Sequence, residues 1–286
     1  KSEDATYLTK QIFSNYVYKG PLLEWYFRIK WKLEAKNFDY YNKIIKDKTQ
    51  ILDVGCGYGY FSYFIHYKNL NREIIAIDYD EKKVNVAKNA YSITDNLSFL
   101  ATDITTYEIP KRDVIFYNDI LHYLTKEEQI KVLNNSVKAL NPNGIIIIRD
   151  GITNLPGRHQ KTEKTEKYST KIIKFNKSTR DLHFFSASFI EDFARENNLV
   201  YEMQEQSKKT SNVLFLVMFL AMRSTCNDDF SFRSSSARAS SSAAFLSSKA
   251  KLMSVSSLNS LTTASFRASL LAAKELIAAS SLAIMG

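Results

Sequence analysis

Three glycines spaced two apart, Gly55, Gly57 and Gly59, follow an apolar run that carries an acid, Asp53, in the stretch ILDVGCGYGYFS (51–62). Glycine accounts for 8 of the 286 residues, so such a cluster marks a place where main chain must turn or be approached closely. A helix opening just after the cluster, near Tyr60, would aim its first amides at a bound group. The spacing narrows the ligand. A dinucleotide loop wants G-x-G-x-x-G and a diphosphate loop G-x-x-x-x-G-K-[ST], whereas here the pattern is D-x-G-x-G-x-G. Acids also end the next two apolar runs, Asp78 in IIAID and Asp103 in FLATD. Acids after three successive runs suit a nucleoside whose other end carries a cation and an amino acid better than they suit a pyrophosphate.

A second set of reactive residues follows the fourth and fifth runs. His122, in NDILHYL, titrates near neutrality and is a candidate proton acceptor. It reads equally as a histidine at a helix start, satisfied by packing. Tyr123 reads as a wall residue. Arg149 and Asp150 end the fifth run, and Arg158 and His159 open a polar insertion. Singly, the insertion residues read as a solvated loop. As a cluster, Arg149, Arg158 and His159 could meet an anionic or phenolic group. The four histidines lie far apart, and neither H-x-x-x-H nor C-x-x-C occurs, so no metal site is expected. The two cysteines, Cys56 and Cys226, make no disulfide framework, and a reducing cytoplasm is the simpler setting.

The elements that must carry these residues are legible as alternating patterns. QILDVG, EIIAID, LSFLATD, DVIFYND and GIIIIRD are apolar runs without polar alternation, as in strands of a parallel sheet covered on both faces. In such a sheet ligands bind at the carboxyl ends of the strands, where the acids and His122 fall. SASFIEDFARENN reads as a helix with a serine cap, followed by strands LVYEMQEQ and NVLFLVMF. Residues 1–45 read as an aromatic and basic helical cap, with a helix after Gly20-Pro21 and apolar positions at Leu22, Trp25, Tyr26, Ile29 and Leu33. Three readings of this cap stay open: a lid over the cleft, with its aromatics inward; a helix lying on a membrane surface; or a face that stacks nucleic-acid bases. Net charge of +9 suits either of the last two without deciding between them. Residues 222–286 are dominated by Ser, Ala and Leu and read as a disordered or non-native tail, leaving 46–221 as the main domain. The longest apolar run, Val213 to Met222, is too short to span a bilayer.

Taken together, DVGCGYG, Asp78, TDI (102–104), NDILHYL and LNPNGIIIIRD resemble a class I S-adenosylmethionine-dependent methyltransferase over roughly residues 40–220. The resemblance implies an α/β fold: a seven-stranded, mostly parallel, Rossmann-like sheet with helices on both faces and the last strand antiparallel. It implies S-adenosylmethionine as cofactor, with the loop Gly55, Cys56, Gly57 and Gly59 at its methionine end and the acid Asp53 holding either the loop or the cofactor's amino group. Asp78 would hold the ribose, Tyr79 and Ile104 the adenine faces, Asp103 the exocyclic amine, and Asn118 the methionine end. No N-P-P-Y follows the fourth run, so base-amino methylation is not implied, although RNA oxygen and ring-carbon targets stay open. NYVYKGPLLEWYFRIKWKLE and the segment around RHQKTEKTEKYST also resemble the methyltransferase part of bacterial fused exporter, acyltransferase and methyltransferase proteins of aryl-polyene or flexirubin-type pigment clusters. That resemblance implies a fragment of a longer chain and methylation, at an oxygen, of a small-molecule, acyl or aryl-lipid acceptor near the inner membrane face. Tyr18, Trp25, Tyr123, Arg149, Arg158 and His159 would then be substrate contacts, with His122 the catalytic base. A domain that binds the cofactor without catalysis and docks a partner remains the other class.

Overall fold

The computed structural model describes residues 2–16, 21–91, 94–155, 157–160, 162–164, 181–205 and 210–219. Tyr18, most of the polar insertion and the 222–286 tail lie outside the described residues. The larger of two compact units, Lys1–Lys19 with Tyr26–Phe232, holds the whole sheet. The smaller is Gly20–Trp25 with Arg233–Gly286, of which only residues 21–25 are described.

Two helices come first, α1 (Ser2–Ser14) and α2 (Pro21–Ile45). They are followed by β1 (Gln50–Val54), α3 (Tyr60–Lys68), β2 (Glu73–Asp78), α4 (Glu81–Lys88), β3 (Leu97–Ala101) and β4 (Arg112–Asn118). A 3-10 turn at Leu121–Tyr123 leads to α5 (Lys126–Ala139), β5 (Leu140–Gly151), α6 (Ala187–Glu196), β6 (Leu199–Glu205) and β7 (Asn212–Phe219). The sheet order is β3-β2-β1-β4-β5-β7-β6. β1 to β5 run parallel, and β7 inserts antiparallel between β5 and β6. This is the seven-stranded, mostly parallel Rossmann-like sheet that the family resemblance implies. The helix α1 falls within the helical cap read over 1–45, ahead of the helix placed after Gly20-Pro21.

Central strands are apolar throughout because both faces are covered. Leu52, Ile115, Tyr117, Ile146, Ile148 and Phe215 pack with Val132, Ile190 and Phe193 of α5 and α6 into one core layer. The edge strand β3 departs from the expected two-sided burial. Leu97 and Phe99 are buried while Ser98 and Leu100 are exposed. Residues 102–111, between β3 and β4, form turns and no helix, so nothing of the βαβ kind covers that face of β3.

Helix ends follow local chemistry. Thr125 caps α5 in a reciprocal box with Glu128. Asp80 caps α4 by accepting from the Lys82 amide. Ser186 stands at the cap position of α6, but its hydroxyl pairs with Ser188, and Asn154 Oδ1 accepts from the Ala187 amide at 2.7 Å. The Ser186 hydroxyl thus makes no capping bond, and a side chain from another loop takes the first amide of the helix.

The aromatic cap turns inward. Phe27, Phe38 and Tyr41 of α2 are buried. Trp31 contacts the rings of Phe13, Phe38 and Phe64 at 5.8–6.0 Å, and Phe38 meets Phe61 of α3 at 4.8 Å. Arg72, just before β2, ties these elements together. Its guanidinium donates to Asn42 Oδ1, Ile65 O and Lys46 O at 2.7–3.0 Å, and burial brings its pKa down to about 10. Removing the Phe38 ring therefore opens a void between α2 and α3. Phe38→Ala is expected to lower unfolding stability by about 3–5 kcal/mol in urea titrations. A loss below about 1 kcal/mol would show that α2 is not part of the folded domain.

Candidate active site

The three glycines of the loop are there for different reasons. All have left-handed backbone, with φ of 75°, 56° and 80° at Gly55, Gly57 and Gly59. A Cβ at Gly55 would lie 2.0 Å from Ile120 Cδ1, and one at Gly59 would lie 2.5 Å from Phe99 Cε1. A Cβ at Gly57 would meet nothing within 4 Å. Left-handed backbone favours glycine at all three; at 55 and 59 a Cβ would also press on Ile120 and Phe99, while Gly57 is where the loop leaves open room against its main chain. The sequence alone makes all three look alike.

The loop is fastened to the end of β2. Gly55 and Cys56 amides both donate to Ile77 O, at 2.7 and 3.0 Å. Asp78 Oδ2 accepts from the Gly57 amide at 2.8 Å, and Oδ1 accepts from the Asp80 amide at 2.8 Å. Asp53 is buried beneath, with Oδ2 accepting from Ser62 Oγ at 2.6 Å. Burial pushes its carboxyl up to about 7; the Ser62 hydrogen bond opposes this and the Asp78 charge adds to it. Burial also pushes the Cys56 thiol well up. Lys83 was not singled out in the sequence, where it sits in an ordinary charge run. It is buried beside the acids: burial lowers its pKa, Asp78 and Asp80 resist, and Nζ lies 6.0 Å from the centre of the Tyr58 ring. Tyr79 is 54% exposed, Ile104 is buried, and Asp103 Oδ1 accepts from the Thr105 amide. Asn118 ends β4 with Oδ1 buried and without a partner among the described residues. An open glycine, acids at two strand ends and an unsatisfied amide oxygen together fit a nucleoside bearing an amino-acid end.

The cap reaches this loop. Tyr16, just past α1, donates to Tyr58 O at 2.9 Å, and Phe27 of α2 lies 5.3 Å from the Tyr58 ring.

The residues after β4 and β5 separate into two groups. His122 and Asp150 form a buried pair, Nδ1 to Oδ1 at 2.6 Å, with 1% and 0% exposure. Asp150 also accepts from the His122 and Gly151 amides. Phe184 stacks flat on the imidazole, centroids 4.8 Å apart, and His159 meets the other partner of that stack, Phe184, edge-on at 4.8 Å. Tyr123 lies 4.2 Å from the His122 ring. Arg149 points to the opposite sheet face, as strand alternation requires of neighbouring residues. There it pairs with Asp119 and, at 3.4 Å, with Glu34 of α2. Burial would lower the Arg149 pKa, but Asp119 and Glu34 overcome this and hold it above its usual value. Arg158 pairs with Glu205 at 2.8 Å. The expected cluster of Arg149, Arg158 and His159 is therefore not one basic group: each arginine has its own carboxylate, and the pleat sends Arg149 away from His159. Asp150, which in the sequence only ends the fifth run, is the histidine's partner. Trp25 lies in the first turns of α2 and Tyr18 outside the described residues. Among the described residues no group of three His, Cys, Asp or Glu could hold a metal, and no helix is long and apolar enough to cross a membrane.

Comparison with known proteins places the fold in a family. A family model described as a methyltransferase domain matches residues 45–214, and the chain belongs to that family. Carboxy-S-adenosyl-L-methionine synthases of Glaesserella parasuis and Shewanella sediminis are each 26% identical over 117 residues, 39% of this chain and 48% of theirs. The match thus spans about half the length of these curated relatives. An O-methyltransferase family protein from Burkholderia thailandensis superposes with a TM-score of 0.50 at 15% identity, over 65% of this chain and 56% of that one. Human N-acetylserotonin methyltransferase, solved with S-adenosylmethionine, gives 0.51 at 13% identity, over 66% and 52%. These two share the fold. The matched region is a methyltransferase domain, and S-adenosylmethionine is its cofactor.

The buried acid gives a pH test. With its folded pKa near 7, against an ordinary 3.8, Asp53 keeps its proton in the native state after the unfolded chain has lost it. Ligand-free stability should therefore fall as pH rises from about 4 to about 7 and then level off, by at most about 4 kcal/mol. Asp53→Asn keeps an acceptor for Ser62 but cannot ionise. Its melting temperature should exceed that of the wild type at pH 8 and converge with it near pH 5. Parallel melting curves across that range would show Asp53 already ionised in the fold.

Proposed function

We propose that the domain transfers a methyl group to a hydroxyl oxygen of an acyl- or aryl-lipid acceptor, with His122 as the proton acceptor and Asp150 holding it. The carrying observation is the buried His122–Asp150 pair at the carboxyl ends of β4 and β5. When bound, the cofactor supplies an electrophilic methyl on a sulfonium. The open main chain at Gly57, in the turn of Gly55, Cys56 and Gly59, would hold its methionine end together with Asp53 and Asn118. Asp78 would take the ribose hydroxyls, Tyr79 and Ile104 the adenine faces, and Asp103 its amine. Asp150, bonded to Nδ1, fixes the tautomer in which Nε2 takes a proton from the acceptor hydroxyl. Alignment of oxygen and methyl supplies the rest.

A carboxylic acceptor was attractive while three bases were expected together. With Arg149 and Arg158 each paired to a carboxylate, a phenolic or other hydroxyl oxygen is the better reading. Tyr18, Trp25 and Tyr123 would line the path of the acceptor, and Arg158 and His159 its rim. The inward aromatic packing of α2 supports a greasy cover for a long tail, and the resemblance to pigment-cluster proteins supports a lipid. The enzyme would work in the cytoplasm against the inner membrane face, as the domain 46–221 under the 1–45 cap. A chain stopped after Ala221 would keep its melting temperature. A second reading, His122 as a packed residue that shapes the turn, is favoured by its burial under Phe184.

Three measurements test this. Asp78→Ala leaves ribose hydroxyls unpaired and should weaken S-adenosylhomocysteine binding, by calorimetry, by about 1–3 kcal/mol; unchanged affinity would put the site elsewhere. His122→Ala should lose about 100-fold in turnover, and a loss below about tenfold selects the packed reading. Labelled cofactor is then incubated with separate lipid, RNA and protein extracts. Label only in RNA or protein would reject the lipid class, and label in none would favour a docking domain.

A further inference from the structure

Tyr58 stands between two of the loop glycines, and three other parts of the fold hold it. The Tyr16 hydroxyl, just past α1, donates to Tyr58 O at 2.9 Å. Phe27 of α2 lies 5.3 Å from the Tyr58 ring and 6.0 Å from the Tyr60 ring. Lys83 Nζ of α4 lies 6.0 Å from the centre of the Tyr58 ring. Tyr16 is itself fixed in place. It is buried, and its ring lies 4.7 Å from Phe27 and 5.7 Å from Tyr63 of α3. Its neighbour Asn15 accepts from the Tyr91 amide at 2.9 Å.

What the Tyr16 bond controls follows from the main chain of the loop. Gly57 and Gly59 both have left-handed backbone, and a glycine gives little steric resistance to rotation of the peptides beside it. The peptide that ends in the Gly57 amide is held by Asp78. The peptide joining Tyr58 to Gly59 is held at both ends. The Gly59 amide donates to Cys56 O at 2.9 Å, and Tyr16 donates to the Tyr58 carbonyl. Gly59 is also the cap residue of α3, with no side chain to make a capping bond. The main chain around the open space at Gly57 is thus set from the sheet on one side and from the N-terminal cap on the other.

We propose that Tyr16 is a positioning residue for the cofactor: its hydroxyl holds the glycine loop in the shape that binds, so that docking of the cap and binding of the cofactor favour each other. The inference rests on the reading that the cofactor lies in this loop. Coupling of this kind is reciprocal. If the docked cap raises cofactor affinity, bound cofactor must stabilise the docked cap by the same factor. A tyrosine that only packs would stabilise the fold equally with and without ligand and would show neither effect.

The test uses the full chain and S-adenosylhomocysteine. Tyr16→Phe keeps the ring and removes one bond, and should weaken binding about fivefold in calorimetry. Tyr117→Phe is the matched control. It also loses a buried hydroxyl bond, to Ser136 Oγ at 2.7 Å in the α5–α6 layer, and should bind as the wild type does. Hydrogen exchange reads the coupling in reverse. Saturating S-adenosylhomocysteine should slow exchange of the α1 amides by about fivefold or more in the wild type, and by less in Tyr16→Phe. Unchanged affinity in Tyr16→Phe, an equal loss in Tyr117→Phe, or α1 exchange that ignores the ligand overturns the proposal. Wild-type exchange decides by itself where Tyr16→Phe fails to fold. If Asp78→Ala weakens binding and Tyr16→Phe does not, this inference alone falls; if neither does, the reading of the loop falls with it.

Discussion

The carboxylate of Asp78 is the joint on which the candidate site hangs. One oxygen takes the Gly57 amide, the other the Asp80 amide, each at 2.8 Å. The glycine loop after β1 and the start of α4 after β2 are therefore both indexed to a single side chain at the end of β2. Ile77 O adds two more bonds to the same loop. A loop with three left-handed residues has little intrinsic preference for one shape. Tied at three amides, with Ile120 and Phe99 filling the space at Gly55 and Gly59, it has one. The cap then presses on the remaining side, through Tyr16 and Phe27 onto Tyr58. Burying Asp53 beneath the loop at a raised pKa is affordable only because Ser62 satisfies it.

How much of this could be read in the sequence depends on the range of the interactions. The sheet was legible because each strand is a short apolar run and each crossover helix has its own period. The acids were legible because they sit at run ends, which topology turns into one edge of a sheet. β3 misleads because its sequence is as apolar as that of its neighbours, and its exposure depends on the ten residues that follow it, 102–111, forming turns in place of a helix. The cap of α6 misleads because the Ser186 hydroxyl makes no capping bond and Asn154, thirty-three residues away, takes the Ala187 amide. Asp150 and His122 are twenty-eight residues apart, and nothing local in either says they meet. The basic cluster is the clearest case. Arg149, Arg158 and His159 look like one group along the chain, but their partners Glu34, Asp119, Glu205 and Phe184 come from four other segments.

Arg149 and Asp150 also show how one dipeptide can serve two sides of a sheet. Alternation is unavoidable in a strand, so adjacent residues at its end must face different layers. Asp150 goes to the α5–α6 side and fixes the ring that the proposed mechanism needs for proton removal. Arg149 goes to the α2 side and pairs with Glu34 and Asp119, which ties the cap helix to the strand ends. A change at Asp150 would therefore act on proton transfer in the proposed mechanism, whereas a change at Glu34 or Arg149 would loosen the hold of α2 on the sheet.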